Sequence, residues 1–241
     1  MVKVGAVIPA AGQGTRMGAA TPKQYLELNG RPILSYALKT LADCPSVECL
    51  VLVCSPGDEE HCRTNIIERL GIKKSVKIVP GGNERQKSVY NGLLALSDDT
   101  DIAVIHDGAR PLLKPEDLLR VIEAARQYGA ATLAAPAKDT VKVADERGMV
   151  VSTLKRESLW LIQTPQAFNY DLIMRAHQQA TQTGFKGNDD ASLVEVLGEP
   201  VSIVTGSYAN IKITTQEDLL IATAYLRSEV VGATLGSPVP Y

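Results

Sequence analysis

Short apolar segments alternate along the chain with longer segments in which apolar residues recur every three or four positions. The short runs predict strands buried on both faces, and the longer segments predict amphipathic helices. The predicted strands cover 3–9, 47–55, 75–81, 101–107, 130–136 and 201–206; the predicted helices cover 33–44, 58–71, 84–96, 114–129, 190–198 and 215–230, with another beginning near Tyr170. This alternation predicts βαβ units with right-handed crossovers. We expect a Rossmann-like, doubly wound α/β fold, with a mostly parallel sheet and helices on both faces.

One segment, 138–156, breaks the alternation. It contains two stretches of alternating polar and apolar residues around the polar turn DERG, which predicts a β-hairpin arm inserted at about 136–156. A two-stranded arm is marginally stable alone, so we expect it to pack on a second copy of the chain and form a homodimer. The absence of a linker or a change in composition favours a single domain over 1–241. The tail at 232–241 is expected to be frayed.

Composition limits the class of protein. Hydrophobic residues make up 45% of the chain and charged residues 22%, which argues against disorder and coiled coil. The 25 basic and 27 acidic residues give a net charge of −2, so no global basic field favours nucleic acid or a membrane surface as a partner. No apolar run is long enough to span a bilayer, and the start lacks a signal or transit pattern. We therefore expect a cytoplasmic location, or a plastid stroma for a plant source.

Four cysteines, Cys44, Cys49, Cys54 and Cys62, lie close together in the sequence. Their spacing is not typical of zinc sites. Reduced thiols packed as small apolar side chains are the better interpretation.

A glycine-rich loop follows the first predicted strand. In PAAGQGTRMG the glycines are spaced one residue wider than in the dinucleotide fingerprint, and the ending of a Walker A loop is missing. Glycines at this place let backbone N–H groups approach phosphate oxygens, and Arg16 and Lys23 add two cations. The loop therefore predicts phosphate binding, with a tight turn and two solvated cations as the alternative.

Two more loops follow predicted strands, where open parallel sheets bind their ligands. After the third strand, Gly81 and Gly82 permit close approach, and Ser88 offers a hydroxyl to a nucleobase or phosphate. After the fourth, Asp107 suits a carboxylate that holds a divalent cation bridging phosphates, although it could equally cap a helix. His106 ends an apolar strand, so we interpret it as a buried neutral imidazole rather than a general base.

The second half of the chain carries further cations. Thr140 and Arg156 stand at the two bases of the arm, where a partner subunit could use them on a phosphate ester; a solvated basic hairpin is the alternative. Lys212 lies in an extended run before the last predicted helix. Thr214 or Thr215 is the expected N-cap of that helix. It is either a second phosphate ligand or a surface lysine.

Several motifs occur in an order that resembles a known family. They are PAAGQGTRMGAATPKQYLELNGRPIL, GGNERQKSVYNGL, HDGARPLL, KDTVK, LWLIQTPQAF, NDDASLVE and NIKITTQEDL. Together they span nearly the whole chain and resemble the 2-C-methyl-D-erythritol 4-phosphate cytidylyltransferases of the non-mevalonate isoprenoid pathway. The resemblance implies transfer of CMP from CTP to the methylerythritol phosphate, with release of pyrophosphate, in the presence of Mg²⁺ or another divalent cation.

The resemblance also implies roles for particular residues. The catalytic cations would be Arg16, Lys23 and Lys212. CTP would be bound by Ala10, Ala11, Gly12, Gly14, Gly82, Asn83, Ser88 and Asp107, with the close backbone excluding purines. The polyol phosphate would be bound by Asp107, Arg110, Thr140, Arg156, Thr164 and Asn188, and Asp107 would also hold the metal together with the CTP phosphates.

Three departures from the family pattern accompany the resemblance: Gly108 replaces an alanine, Ala209 an aspartate that some members carry, and Asn188 a common threonine. The alternatives are a ribitol 5-phosphate cytidylyltransferase, which has the same chemistry, and a non-catalytic nucleotide-binding regulator. The regulator's expected signature, loss of Arg16 or Lys23, is absent. A Rossmann oxidoreductase is disfavoured by the glycine spacing.

Overall fold

The computed structural model describes residues 2–12 and 22–235, with side chains described up to 228. The strands are β1 (Val4–Pro9), β2 (Glu27–Leu28), β3 (Arg31–Pro32), β4 (Val47–Cys54), β5 (Ser75–Pro80), β6 (Ile102–Ile105), β7 (Ala130–Pro136), β8 (Lys142–Ala144), β9 (Val150–Thr153), β10 (Trp160–Asn169) and β11 (Ser202–Thr205). The helices are α1 (Ile33–Asp43), α2 (Glu59–Cys62), α3 (Glu68–Leu70), α4 (Arg85–Leu94), α5 (Pro115–Tyr128), α6 (Tyr170–Thr183), α7 (Asp190–Val196) and α8 (Gln216–Leu235). A π-helical turn, Arg63–Ile67, joins α2 to α3.

Seven strands form one sheet in the order β11-β7-β10-β6-β1-β4-β5. The pairs β1–β4, β1–β6, β4–β5 and β7–β11 are parallel, whereas β10 is antiparallel to both of its neighbours. The chain enters β10 from the arm rather than from a crossover helix, and antiparallel pairing needs no crossover. The expected α/β fold with a mostly parallel sheet is confirmed.

Side chains from successive strand residues enter two different cores. In β1, Ala6 and Ile8 pack with α1 and α5 on one face, and Val7 packs with α4, α6 and α7 on the other. Both faces of the central strands are therefore covered by helices, which explains why these strands read as continuous apolar runs. Helices on both faces of the sheet are confirmed.

The arm is confirmed as a separate two-stranded sheet of β8 and β9, with Lys142 opposite Thr153. All residues of both strands are exposed. The hairpin of β2 and β3 was not predicted, because two-residue strands leave no periodic pattern. The last helix, α8, continues to Leu235 and so reaches into the first residues of the predicted tail.

The last helix begins as the sequence predicted. Thr215 precedes α8, and its backbone N–H donates to Asp218 Oδ2 at 2.9 Å while its Oγ1 accepts from the Asp218 N–H at 3.4 Å. This reciprocal arrangement is a capping box, with aspartate in the place of glutamate. In the parts of the chain that the structure describes, no helix is both long and apolar enough to span a bilayer.

Candidate active site

A cavity of about 520 Å³ lies at the carboxyl ends of the parallel strands. Its walls are the loops that follow β1, β4, β5 and β6, and two lysines enter it from other segments. The predicted site residues that line it are Ala10, Ala11, Gly12, Lys23, Gly82, Asn83, Ser88, Asp107 and Lys212. Gly14 and Arg16 lie outside the described residues, so their roles stay predictions. The rule that open parallel sheets bind ligands at this edge located the cavity correctly.

The loops after β1 and β5 touch each other on one side of the cavity. A Cβ on Gly81 would lie 2.4 Å from Ala11 Cβ, so only glycine fits between the loops. Ser88 is 4% exposed; its Oγ accepts from the Gly82 N–H at 3.0 Å and donates to Glu84 O at 3.0 Å. The hydroxyl therefore shapes the loop in this structure, and its predicted contact with the nucleotide stays a prediction.

Asp107 is the charged centre of the cavity wall. Lys212 Nζ donates to its Oδ2 at 2.6 Å, and Arg85 donates to its Oδ1 through Nε at 3.3 Å and an η nitrogen at 3.2 Å. Burial alone would raise the pKa of Asp107, but Arg85 and Lys212 outweigh it and hold that pKa well below its usual range. Asp107 is therefore ionised at neutral pH.

Arg85 is a site residue that the sequence analysis missed. It lines the cavity, and besides Asp107 it contacts the buried Asp190 Oδ2 at 2.8 Å. Burial opposes its charge, yet the two carboxylates raise its pKa above the usual range. One signal was available: a cation in the first turn of a helix meets the positive end of the helix dipole and needs nearby anions.

His106 and Thr164 form a buried network behind Asp107. Thr164 Oγ1 accepts from the Asp107 N–H at 3.0 Å and lies 3.0 Å from His106 Nδ1, while His106 Nε2 lies 3.1 Å from Arg110 O. The hydroxyl proton therefore goes to Nδ1, and Nε2 carries the imidazole proton. Burial lowers the pKa of His106 to about 4, which confirms the expected neutral imidazole. Thr164 lies behind the cavity and does not line it. This position differs from the one expected of a polyol-phosphate ligand, the role that the resemblance implied for Thr164.

The NIKIT segment, residues 210–214, places Lys212 in the cavity wall. Asn210 is fully buried, and its Nδ2 donates to Thr164 O at 2.8 Å, which pins the segment to β10. On the other side of Lys212, the carbonyl of Ile213 accepts from Lys23 Nζ at 3.2 Å. The two predicted catalytic lysines are thus fixed beside one short stretch of backbone.

Arg110 has a supporting position that differs from the prediction. Its η nitrogens donate to Asn210 O at 2.7 Å and to Ile162 O at 3.4 Å, and it does not line the cavity. Burial lowers its pKa, although Asp107 acts in the opposite direction. Arg110 therefore clamps the loop after β6 to β10 and to the NIKIT segment.

The remaining predicted polyol-phosphate residues, Thr140, Arg156 and Asn188, are exposed and lie outside the cavity wall. Arg156 donates from an η nitrogen to Lys138 O at 3.2 Å, across the base of the arm. Their predicted contacts with substrate stay predictions.

The described residues show no metal site built from protein side chains alone. Over 2–12 and 22–235, no group of three His, Cys, Asp or Glu side chains could hold a metal ion. Both oxygens of Asp107 accept from protein cations, and its predicted role as a metal ligand beside the CTP phosphates stays a prediction. The cysteines carry free thiols; Cys44, Cys54 and Cys62 are buried and Cys49 is half-buried, as expected of small apolar side chains.

Comparisons with known proteins point to one family. The family model described as "IspD: 2-C-methyl-D-erythritol 4-phosphate cytidylyltransferase" matches residues 4–228. Proteins of that name from Pelotomaculum thermopropionicum and Desulforamulus reducens are 58% and 51% identical to this chain. The matches cover 95% and 94% of this chain, and 96% and 97% of those proteins.

Solved structures give the same result. The 4-diphosphocytidyl-2C-methyl-D-erythritol synthase of Anaerococcus prevotii has a TM-score of 0.85 at 36% identity, covering 94% of this chain and 96% of that one. The 2-C-methyl-D-erythritol 4-phosphate cytidylyltransferase of Thermus thermophilus has a TM-score of 0.77 at 34% identity, covering 94% and 100%. The cavity, its paired cations and these matches together place the chain in the family of the 2-C-methyl-D-erythritol 4-phosphate cytidylyltransferases.

Proposed function

We propose that this chain transfers CMP from CTP to 2-C-methyl-D-erythritol 4-phosphate, giving 4-diphosphocytidyl-2-C-methyl-D-erythritol and pyrophosphate. The observation that carries the proposal is a cavity at the ligand edge of the sheet, lined by Lys23, Arg85 and Lys212, in a member of this family. The relatives and structures named above all bear the methylerythritol name, which favours this polyol over ribitol 5-phosphate.

The reaction requires charge neutralisation more than proton transfer. A phosphate oxygen of the polyol phosphate forms a bond to the α-phosphorus of CTP, and the bond from that phosphorus to the bridging oxygen breaks as pyrophosphate leaves with the electron pair. The attacking phosphate is already anionic, so no general base is needed. The neutral, buried His106 agrees with this. Lys23 and Lys212, together with Arg16, would stabilise the negative charge of the transition state.

Asp107 is suited to the polyol rather than to the triphosphate. An ionised carboxylate accepts hydrogen bonds from hydroxyl groups and repels phosphate oxygens. Asp107 stands in the cavity wall beside Lys212. It would therefore select a substrate that presents hydroxyls next to its phosphate.

Magnesium enters the proposal with the nucleotide. Mg²⁺ usually keeps several waters and is bound through substrate phosphates with few protein ligands. When bound, it would neutralise part of the triphosphate charge. Its one predicted protein ligand, Asp107, already pairs with two cations, so we expect the CTP phosphates to supply most of the contacts to the metal.

A homodimer through the arm is the second part of the proposal. The arm exposes Val143, Met149, Val150 and Val151, of which the last three are more than 60% exposed. Apolar side chains in such a cluster favour contact with another protein surface. Dimerisation would cover these side chains and bring Thr140 and Arg156 to the partner's cavity. A cytoplasmic location stays a prediction.

One assay tests the activity. The purified chain is supplied with CTP and Mg²⁺, and pyrophosphate release is measured with 2-C-methyl-D-erythritol 4-phosphate and with ribitol 5-phosphate in parallel. We expect kcat/KM to be higher for the methylerythritol substrate. A higher value for ribitol 5-phosphate would overturn the choice of polyol. Release of pyrophosphate from neither substrate would overturn the cytidylyltransferase assignment for this chain.

A further inference from the structure

Arg85 joins two aspartates that come from distant parts of the chain. One η nitrogen lies 3.2 Å from Asp107 Oδ1 and 2.8 Å from Asp190 Oδ2. The proposed reaction assigns no role to Arg85 or to Asp190. The side chain of Arg85 is 31% exposed, whereas that of Asp190 is 1% exposed. The arginine thus faces the cavity, and the aspartate behind it belongs to the core.

The position of Asp190 is fixed from several sides. Its backbone N–H donates to Gln166 Oε1 at 3.1 Å, and Gln166 Nε2 donates to Asp189 Oδ2 at 2.7 Å. Gln166 lies in β10 and is fully buried, so it holds the start of α7 against the sheet. His177 Nε2 lies 3.5 Å from the other carboxylate oxygen of Asp190. Burial alone would raise the pKa of Asp190, but Arg85 and His177 lower it, so the start of α7 places an anion beneath Arg85.

This anchor changes what the arginine can do. An unanchored guanidinium at the edge of a phosphate site would turn toward the triphosphate, because arginine binds phosphate strongly. Arg85 is held by two carboxylates, and breaking its contact with a buried one would leave an unpaired charge in the core. Its Nε and one η nitrogen are already directed at Asp107. In the proposed reaction, phosphate binding is therefore left to Lys23 and Lys212, together with Arg16.

We propose that Arg85 is a positioning residue which, anchored by Asp190, holds the carboxylate of Asp107 in the orientation that meets the polyol substrate. The inference rests on the proposed function, in which Asp107 binds the polyol. Arg85 acts through Asp107 and contributes little when Asp107 lacks its charge. A direct phosphate ligand would contribute equally in either case.

A double-mutant cycle on the full-length protein separates these cases. The variants are Arg85→Gln, Asp107→Asn and the two combined, and the readout is kcat/KM for 2-C-methyl-D-erythritol 4-phosphate at saturating CTP. We expect Arg85→Gln to lower kcat/KM by at least 30-fold when Asp107 is present. In the Asp107→Asn background, the factor by which Arg85→Gln lowers kcat/KM should be no more than a tenth of the factor measured with Asp107 present. The inference would be overturned by a loss below 30-fold with Asp107 present, or by a loss above a tenth of that factor in the Asp107→Asn background.

Two further variants keep the test clear of folding effects. Arg120→Gln removes a comparable ion pair, because Arg120 lies 2.6 Å from Asp117, an aspartate 8% exposed and outside the cavity. We expect that variant to keep kcat/KM within twofold. If Arg85→Gln fails to fold, Arg85→Lys replaces it in the same cycle with the same criteria, because one ammonium cannot reproduce the guanidinium contacts to Asp107 and Asp190. Wild-type protein that releases no pyrophosphate would reject the proposed function itself, whereas an active wild type with an additive cycle rejects only the role of Arg85.

Discussion

Lys212 and Asp107 are 105 positions apart in the sequence, and their side chains form an ion pair of 2.6 Å in the cavity wall. Two cations, Lys212 and Arg85, contact this one carboxylate, and Lys23 adds a third cation to the wall. Electrostatic preorganisation of this kind stabilises a transition state without rearrangement during the reaction. The same lysine also helps to hold Asp107 ionised, so in the proposed reaction one ion pair would serve both substrates.

Replacement of Lys212 should therefore damage the chemical step. We expect Lys212→Met to lower kcat by about 100-fold, which corresponds to roughly 3 kcal/mol of lost transition-state stabilisation. Steady-state kinetics with both substrates saturating measures this. Lys39→Met is the matched control, since Lys39 forms a 2.7 Å pair with Asp43 on the exposed surface of α1; its kcat should stay within twofold. A Lys212→Met enzyme as fast as that control would remove Lys212 from the mechanism.

Lys23 should be equally important, for a related reason. It lines the cavity beside Ile213 O and can place a compact positive charge near the triphosphate. We expect Lys23→Ala to lower kcat more than about 100-fold, or roughly 3 kcal/mol. Rates at saturating CTP test this, with the thermal midpoint measured to show that the variant is folded. Full activity in a folded Lys23→Ala protein would contradict the assigned role.

His106 should make the stability of the protein depend on pH. Its pKa is lowered from 6.5 to about 4 by burial, so between these values the unfolded chain binds more protons than the folded one. Stability is therefore fully present above about pH 6.5 and is lost as pH falls toward about 4, by about 3 kcal/mol from this group alone. We expect the unfolding free energy of His106→Gln to change less over this interval than that of the wild type.

Urea unfolding at several pH values measures that slope. His61→Gln is the control, because His61 is exposed, and its slope should equal that of the wild type. An unchanged slope in His106→Gln would mean that His106 is not held neutral by burial.

The sequence predicted what depends on local pattern. Strands, helices and the position of Asp107 follow from periodicity and from the rule for parallel sheets. The orientation of β10 did not follow, because strand pairing is set by contacts between distant segments. The same is true of Arg85: its partner Asp190 begins α7, and only the packing of that helix beneath the cavity brings the two together. Thr164 and Arg110 belong to the resemblance motifs, yet their burial and their backbone contacts could be seen only in three dimensions.

The arm offers a test of whether the active site is shared between subunits. If Arg156 serves the partner's cavity, Arg156→Ala should raise the KM for the polyol phosphate more than the KM for CTP. Arg147→Ala is the control, since Arg147 is exposed at the turn of the same arm, and both of its KM values should match the wild type. Equal increases in the two KM values for Arg156→Ala would contradict a specific contact with the polyol phosphate.

Subunit mixing makes this prediction sharper. A dimer of one Lys23→Ala chain and one Arg156→Ala chain contains one site with both residues intact and one site that lacks both. Random exchange between equal amounts of the two variants makes half of the dimers mixed, so about one quarter of the wild-type sites should be restored. At polyol concentrations where each variant alone is nearly inactive, we expect mixing to recover about that fraction of activity. No recovery after verified subunit exchange would mean that Arg156 acts on its own chain's cavity or on none, because only a site built from two subunits can be complemented in this way.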